Sequence, residues 1–351
     1  MARRETVAVV TMLCDHKANL IPLLVPRWNT IDYGDRDVVY VAVTNDACQL
    51  TCRRFEEAAA YPVQFVGIKE MAKHVPDLDF ERYVRPEEQM ANIIYLHRMA
   101  IMREAARTRS LNLRSVGEDG KPRTVDWVYW LDQDIDPRAH SFLCLHQVLT
   151  ATRGPQAPKV ACGLYCTRLL GQDITGWLGD EQPRSYAPII AGQVQASRVA
   201  GFGCVLMRRK TLAATRFDTY TDYRLARRRQ REVNRRDTEG VLGEDIFWFR
   251  QHEVSTGQVP MVDNRVRCRH YHADGSYWRY DEEEDSPYLT PHYYTDEVLP
   301  GASEVVCNIS NETIRLDAYR LAIPPGAEAR VSMEIAGHLR ELHSQKVEWA
   351  A

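Results

Sequence analysis

The feature that most constrains the fold is an alternation of continuous apolar runs with helix-like segments in the first half of the chain. Runs rich in β-branched and aromatic residues occupy 6–14, 37–46 and 62–68. Continuous apolar runs are typical of parallel strands that are covered on both faces. The longest helix-like segment, 86–108, begins with a proline and two glutamates, which favour a helix start. This pattern predicts an α/β fold with a mainly parallel central sheet.

One segment between the first two runs contains two prolines. Residues 17–28 have helical spacing, with Pro22 and Pro26 inside them. Proline removes a backbone donor and clashes with the preceding turn of a helix. The segment therefore predicts a short helix that is cut by these two residues.

The composition narrows the class of protein. With 351 residues and a net charge of −3, the chain can bury a large core and carries no overall attraction for nucleic acid. No apolar stretch approaches the length of a membrane span, and a strand-like run begins directly after the first residues, so no membrane segment or signal peptide is expected. Nine cysteines without a Cys-x-x-Cys pair favour reduced thiols. We therefore expect a cytoplasmic protein.

Three carboxylates follow the apolar run 127–131 at every second position, namely Asp132, Asp134 and Asp136. On a strand they would face one side, and their charge raises the free energy of the fold unless cations or hydrogen-bond donors compensate it. Ligands bind beyond the carboxyl ends of parallel strands. Carboxylate oxygens favour Mg²⁺ or Mn²⁺, which commonly bind one or two carboxylates together with substrate phosphates. The run predicts such a metal site, and the alternative is a solvated acidic turn.

Three later segments belong with this acidic run. Residues 199–212 read as a glycine-spaced strand followed by basic residues. Residues 243–251 begin a helix with two acidic residues in its first turn, and 266–272 alternate apolar and polar residues before ending in histidines. The two histidines fall on one face of that predicted strand.

Taken in order, these motifs resemble those of GT-A-fold glycosyltransferases of the family-2-like kind. WLDQDIDP resembles the D-x-D element, AGFGCVLMRRK the strand that follows the acceptor region, and GEDIFW the E-D helix. His270 resembles the late metal-binding histidine, and DWVYWLDQDI also resembles a segment of the Anp1/Mnn9 mannosyltransferases. The resemblance covers roughly residues 5–280.

The resemblance implies a Rossmann-like GT-A domain at 1–300. Its nucleotide-sugar half would be 1–135 and its acceptor half 136–300. Residues 301–351 differ in character, because short β-like segments alternate with turn residues. They predict a small β-rich C-terminal module.

The implied activity is metal-dependent transfer of a sugar from a UDP- or GDP-sugar donor to a hydroxyl group. Asp134 would bind Mn²⁺ or Mg²⁺ directly, and Asp132 would contact the ribose or a metal-bound water. Asp136 would cap a turn, although a register with Asp134 and Asp136 as the metal pair stays open. His270 is the predicted histidine ligand, and His272 competes for that role.

A general base and a nucleotide site follow from the same resemblance. Asp245, with Glu244 beside it, would accept the proton of the acceptor hydroxyl in an inverting transfer. The helix dipole alone also favours acidic residues there, and retaining chemistry stays open because the Anp1-like enzymes are retaining. The resemblance also implies contacts to the base and ribose of the nucleotide from Thr11, Met12, Asn45 and Asp46. Arg98 would contact the diphosphate, and the alternative is an ordinary surface arginine.

A basic segment, 208–236, separates the glycine-spaced strand from the E-D helix. Its arginines, notably Arg227, Arg228, Arg229 and Arg231, either form a solvated helix face or bind a polyanionic acceptor. In the second case the acceptor would be DNA, for example a hydroxylated base such as 5-hydroxymethylcytosine in phage-type modified DNA, reached by base flipping. The protein would then work in the host cytoplasm. A glycan, a protein or a small molecule is the alternative acceptor.

Two other classes of function stay open. A phosphohydrolase of the haloacid-dehalogenase kind also carries D-x-D after an apolar strand, but the chain has Asp136 where that motif expects Thr or Val. A non-catalytic binding module could keep the same fold. The joint presence of Asp134, Asp245 and His270 argues against such a module.

Overall fold

A computed structural model of the protein shows the expected alternation of strands and helices. It describes residues 3–44, 49–67, 91–116, 122–166, 189–198, 200–217, 244–299, 303–316, 321–343 and 345–349. The elements up to the acidic run are β1 Glu5–Leu13, a 3-10 helix Asp15–Leu20, α1 Ile21–Asn29, β2 Arg36–Thr44, α2 Gln49–Ala58, β3 Val63–Gly67, α3 Ala91–Asn112, β4 Arg114–Val116, β5 Pro122–Thr124 and β6 Trp127–Leu131.

The later elements supply the other side of the sheet and two smaller layers. Those up to residue 294 are β7 Ile135–Asp136, α4 Ser141–Thr150, β8 Val160–Leu164, β9 Val194–Ala196, β10 Cys204–Arg208, α5 Arg209–Ala214, α6 Glu244–Thr256, β11 Met261–Arg267, β12 Arg269–Tyr271, β13 Tyr277–Glu282 and β14 Leu289–Tyr294. The C-terminal elements are β15 Ser303–Asn308, β16 Ile314–Leu316, β17 Leu321–Ile323, β18 Glu328–Ser332, α7 Met333–His343 and β19 Val347–Trp349.

The central sheet has eight strands in the order β3-β2-β1-β6-β10-β8-β11-β9. Six of them run in one direction, and β10 and β9 run in the other. The prediction of an α/β fold with a mainly parallel sheet is confirmed. Because β10 is antiparallel, its first residues lie at the same edge of the sheet as the carboxyl ends of its neighbours β6 and β8.

Both faces of the central strands are buried, which explains their continuous apolar runs. Every residue of β6 is buried, and its alternate side chains enter two separate apolar clusters. Ile101 and Ala105 of α3 belong to one cluster, and Trp28 of α1 and Phe142 of α4 belong to the other. Full burial of one large apolar side chain contributes about 1.5–3 kcal/mol, so residues such as these hold the helices on the sheet.

The prolines of α1 do not cut the helix, and the prediction that they would was wrong. Pro22 lies in the first turn, where a missing N–H costs no intrahelical bond. Pro26 lies inside the helix, which continues to Asn29. Ile21, Leu24, Val25 and Trp28 are buried along this helix. We infer that this burial outweighs the hydrogen bond that Pro26 cannot make.

Smaller β-sheets complete the described fold, among them the hairpin β4–β5. A four-stranded sheet, β14-β13-β12-β7, joins the end of the acidic run to the histidine segment. At the C-terminus a three-stranded sheet, β18-β15-β19, and the hairpin β16–β17 accompany α7. The proposed boundary between 1–300 and 301–351 stays a prediction. None of the described helices is long and apolar enough to cross a membrane.

Candidate functional site

The acidic run begins in a turn between β6 and β7, at the carboxyl edge of the central sheet, and its last carboxylate, Asp136, lies in β7. The backbone N–H of Asp132 donates to the carbonyl oxygen of Gly203 over 3.0 Å. The side chain of Gln133 accepts from the N–H of Cys14 over 2.7 Å and donates to the carbonyl of Cys14 over 3.1 Å. These bonds fix the turn to the end of β1 and to the loop before β10. Because the chain turns here, the prediction that the three carboxylates share one face of a strand was wrong.

Asp132 is held by an arginine that the sequence did not single out. Arg103 of α3 donates to both carboxylate oxygens of Asp132, over 3.2 and 3.1 Å, and its Nε donates to Glu244 over 3.0 Å. The guanidinium is 3% exposed and lies over the ring of Phe202. Burial alone would lower the pKa of Arg103, but the charges of Asp132 and Glu244 raise it. Arg103 therefore stays charged and joins α3, the acidic turn and α6.

Asp134 meets a histidine and a lysine. Its Oδ2 atom lies 2.5 Å from the Nζ of Lys17 and 3.1 Å from the Nε2 of His270. The Nδ1 of His270 lies 2.5 Å from the carbonyl oxygen of Cys166. We assign a proton to Nδ1 from this contact, which aims Nε2 at Asp134. A neutral imidazole would then present a lone pair to the carboxylate, so a proton or a cation must lie between the two atoms.

The Asp134–His270 pair fits two positions of a divalent metal site. Two adjacent ligands of an octahedral ion with bonds of about 2.1 Å lie about 3.0 Å apart, and the observed separation is 3.1 Å. Within the described residues no group of three or more His, Cys, Asp or Glu side chains converges on one point. Both oxygens of Asp132 accept from Arg103, so water or substrate phosphates would complete the coordination of the ion. The ammonium of Lys17 would have to move away from Asp134.

His272, the competing histidine, lies just after β12. Its ring packs edge-on against Tyr293, with the ring centroids 5.8 Å apart. Its backbone N–H donates to the carbonyl oxygen of Ser276 over 2.8 Å. The observed contact between His270 and Asp134 favours His270 as the ligand, and the role of His272 stays a prediction.

Glu244 and Asp245 begin α6 beside the same arginine. Burial raises the pKa of Glu244 to about 7, the charge of Asp245 adds to this, and Arg103 opposes it. Burial also raises the pKa of Asp245, against the opposing charge of Arg103. Glu244 is buried and paired, whereas Asp245 is partly exposed and accepts from the N–H of Ile246 over 2.7 Å. Of the two carboxylates, Asp245 is therefore the one that an acceptor can reach.

Tyr165 lies near Asp132, Asp245 and His270. Its hydroxyl accepts from the N–H of Gly203 over 2.9 Å, and its ring meets that of His270 edge-on at 5.6 Å. Burial raises the pKa of Tyr165, and the nearby charges of Asp132 and Asp245 raise it further. The tyrosine therefore belongs to the same cluster as both carboxylates.

The predicted nucleotide and acceptor residues are only partly described. Thr11 and Met12 are buried in β1, and within the described residues the Oγ1 of Thr11 has no hydrogen-bond partner. Arg98 lies in α3, but its side chain is outside the described residues. The other predicted residues lie outside the described part of the chain: Asn45, Asp46, Arg227, Arg228, Arg229 and Arg231.

Three residues of this cluster were not predicted from the sequence: Lys17, Arg103 and Tyr165. A signal existed for Lys17, because it follows β1 at the ligand-binding edge of a parallel sheet. Arg103 interrupts the face of α3 that carries Met99 and Ala106, and a charge at a buried position needs a partner. Tyr165 follows β8 at the same edge of the sheet.

No protein-family model matches this chain, and no curated protein matches it. Solved structures similar to it include A197 from STIV, at 12% identity and a TM-score of 0.38, over 84% of this chain and 96% of that one. S. aureus TarS 1–349 in complex with UDP-GlcNAc is similar at 10% identity and a TM-score of 0.40, over 81% of this chain and 60% of that one. Another S. aureus TarS structure is similar at 10% identity and a TM-score of 0.37, over 74% of this chain and 35% of that one. Because these values are low, we argue function from the residues of the site.

Proposed function

We propose that this protein is a glycosyltransferase with a GT-A-like fold, which transfers a sugar from a nucleotide-sugar to a hydroxyl group. One observation carries the proposal. The Asp132–Arg103–Glu244 chain and the Asp134–His270 pair meet at the carboxyl edge of the sheet, although their members come from four separate segments. Ligands of α/β sheets bind at this edge.

The charges of the cluster suit a diphosphate leaving group. Lys17 provides a positive charge at the carboxyl edge, and its ammonium would move from Asp134 to a bound nucleoside diphosphate when a metal ion takes its place. A divalent ion bound by Asp134 and His270 would neutralise charge that grows on the diphosphate as the glycosidic bond breaks. Asp132, held on both oxygens by Arg103, would orient the ribose or a water.

Asp245 is the proposed general base. An inverting transfer needs a carboxylate that accepts the proton of the attacking hydroxyl. Its pKa is raised by burial, which strengthens it as a base. Glu244 and Arg103, which are paired with one another, would hold the start of α6 and so position Asp245.

The acceptor proposed here is a hydroxylated base in DNA, with a glycan, a protein or a small molecule as the alternative. This part rests on the basic segment with Arg227, Arg228, Arg229 and Arg231, and thus on the sequence alone. Replacing these four arginines with glutamine should weaken duplex binding and flatten its salt dependence. A wild-type protein without salt-sensitive binding to DNA would contradict the DNA acceptor.

The metal and donor assignment is tested with Asp134→Asn. We expect hydrolysis of UDP- or GDP-sugars in the presence of Mn²⁺ to fall by at least about a hundredfold, because the variant loses the charge that holds the ion. Asp285→Asn is the matched control, since Asp285 is exposed and its φ of 63° is one that asparagine tolerates. His270→Ala should weaken Mn²⁺ binding as well, whereas an effect of His272→Ala alone would identify the other histidine as the ligand.

Three outcomes would contradict this assignment. Full activity in the presence of a chelator would show that no metal is needed. The Lys17 ammonium would then be the positive charge beside the donor. Release of phosphate from simple phosphate esters would indicate a phosphohydrolase. Absence of any turnover of nucleotide-sugars, with or without acceptor, would indicate a binding module.

The base is tested with Asp245→Asn. Transfer to the acceptor should fall by about 10²- to 10⁴-fold, while binding of the nucleoside diphosphate changes little, because the base acts on the acceptor hydroxyl. Glu253→Gln in the same helix is the control, since Glu253 pairs with Arg198 over 3.4 Å and belongs to no contact of the cluster. Normal transfer by Asp245→Asn would leave Asp245 as a helix-start residue. The anomeric configuration of the product, read by NMR, distinguishes inverting from retaining transfer.

A further inference from the structure

A cavity lies on the opposite face of the β7–β12 ladder from Asp134 and His270. Successive side chains of a strand point to opposite faces. His270 reaches Asp134, whereas Arg269, its neighbour in β12, is paired in register with Asp136 and faces the cavity. The cavity has a volume of about 420 Å³, within the size range of small-ligand pockets. Five arginines line it: Arg27, Arg138, Arg267, Arg269 and Arg279.

Ion pairs and aromatic rings hold three of these arginines in place. Arg27 donates to Asp136 over 2.9 Å and to Glu297 over 2.7 Å. Arg269 pairs with Glu297 and lies 4.9 Å above the centre of the Tyr277 ring. Arg279 donates to Asp281 over 2.8 Å and lies 4.9 Å from the centre of the Tyr294 ring. Guanidinium groups fixed in this way lose little conformational entropy when a ligand binds.

The other two arginines are not fully compensated. Within the described residues, the side chain of Arg138 has no ion pair or hydrogen bond. Arg267 pairs with Glu282 over 3.2 Å, but Glu282 is 60% exposed, and solvent screens such a pair. The Nε of Arg267 is buried and has no acceptor among the described residues.

Charge around the cavity is positive by one unit. The five arginines face two lining carboxylates, Asp136 and Glu297, and two more, Asp281 and Glu282, that pair from outside. Five positive and four negative charges leave an excess of one. Burial lowers the pKa of Arg138, and the charges of Arg267 and Arg279 lower it further. The positive potential at Arg138 is therefore not cancelled by its surroundings.

We propose that this cavity is a phosphate-binding site, separate from the proposed donor site. Guanidinium forks match phosphate oxygens in geometry and charge, and the oxygens of a tetrahedral phosphate can accept from arginines on several sides. A single phosphate group also suits a cavity with one excess positive charge. Arg138 and Arg267 supply the uncommitted donors, and Arg27, Arg269 and Arg279 supply the fixed wall.

The test is titration of the full-length protein with inorganic phosphate, followed by isothermal calorimetry. Arg138→Gln and Arg267→Gln should each weaken phosphate binding about tenfold, the effect of losing one charge-assisted hydrogen bond. Arg315→Gln is the control, because Arg315 is exposed on β16, away from the cavity, and should bind as the wild type does. Arg138 is exposed, so its variant should fold normally. Absence of phosphate binding by the wild type, or equal affinity in all four proteins, would overturn the proposal.

Two competitors identify the source of the phosphate and test its separateness. A dinucleotide with one phosphodiester that displaces inorganic phosphate from the wild type would support a phosphodiester ligand. Retained phosphate binding without such displacement would support a free phosphate group. Displacement by UDP would place the cavity within the donor site and overturn the separate assignment. None of these readouts uses sugar transfer, so failure of the proposed activity would leave this result intact.

Discussion

At the scale of single residues, a basic side chain meets each carboxylate of the acidic turn. Asp132 binds Arg103, Asp134 binds Lys17, and Asp136 binds Arg27. A buried carboxylate without a partner would be strongly destabilising or would take up a proton. Pairing compensates the charge of each carboxylate and fixes its orientation, as a binding site requires.

Glu244 gives a pH prediction at this scale. Its pKa is raised from 4.5 to about 7 in the folded protein. Between these two values the folded state holds a proton that the unfolded state has released, so the free energy of unfolding falls as the pH rises through this window. The glutamine in Glu244→Gln cannot titrate, so the free energy of unfolding of this variant should fall less over the same pH window. Urea unfolding of both proteins at about pH 5 and about pH 8 measures it.

The comparison between the two proteins decides the outcome. The wild type should lose more stability than Glu244→Gln between the two pH values. Equal losses would show that Glu244 titrates near its ordinary pKa in the folded protein. Titrating groups that are distant from Glu244 are present in both proteins, so their contributions cancel in the difference.

At the scale of elements, the glycine-rich entry to β10 lets the chain approach Tyr165. A Cβ atom on Gly201 would lie 1.8 Å from the hydroxyl oxygen of Tyr165 and 2.8 Å from its Cζ. A Cβ on Gly203 would lie 2.9 Å from the same Cζ. The two glycines therefore bring the loop close to the acidic turn, whose Asp132 bonds to Gly203.

Gly201→Ala tests this close approach. We expect a loss of about 1–3 kcal/mol in the free energy of unfolding, as overpacking commonly causes, together with displacement of the Tyr165 ring. Gly337→Ala in α7 is the matched control, because a Cβ there meets nothing within 4 Å, and alanine is favoured over glycine in a helix. Chemical denaturation measures both variants.

A second substitution separates the tyrosine contact from other effects. Tyr165→Phe in the Gly201→Ala background removes the oxygen that lies closest to the new Cβ. The double variant should be more stable than the sum of the two single effects predicts. Strict additivity would show that the loop moves away and that Tyr165 does not limit it.

At the scale of the whole molecule, the order of strands assembles the site. β1 pairs with β6 in parallel, which brings Cys14 and Lys17 to the acidic turn. β10 is inserted antiparallel between β6 and β8, so the loop before it arrives at the same edge. β12 pairs with β7 and carries His270 to Asp134.

Local patterns in the sequence predicted the classes of element and the acidic centre of the site. Continuous apolar runs indicated buried strands because both faces of β1 and β6 are covered. The acidic turn was found because a charge that directly follows a buried strand needs compensation. These are local patterns, in which neighbouring residues carry the information.

The contacts between distant residues could not be predicted in this way and follow from the fold. Lys17 and Asp134 are 117 residues apart, and Asp134 and His270 are 136 apart. Arg98 in α3 was a predicted contact of the diphosphate, whereas Arg103 in the same helix is the residue that binds Asp132. Local periodicity identifies a strand or a helix but leaves open the direction of β10 and the partner of a buried charge. Those are fixed by the order of strands in the sheet and by the need to compensate each buried charge within it.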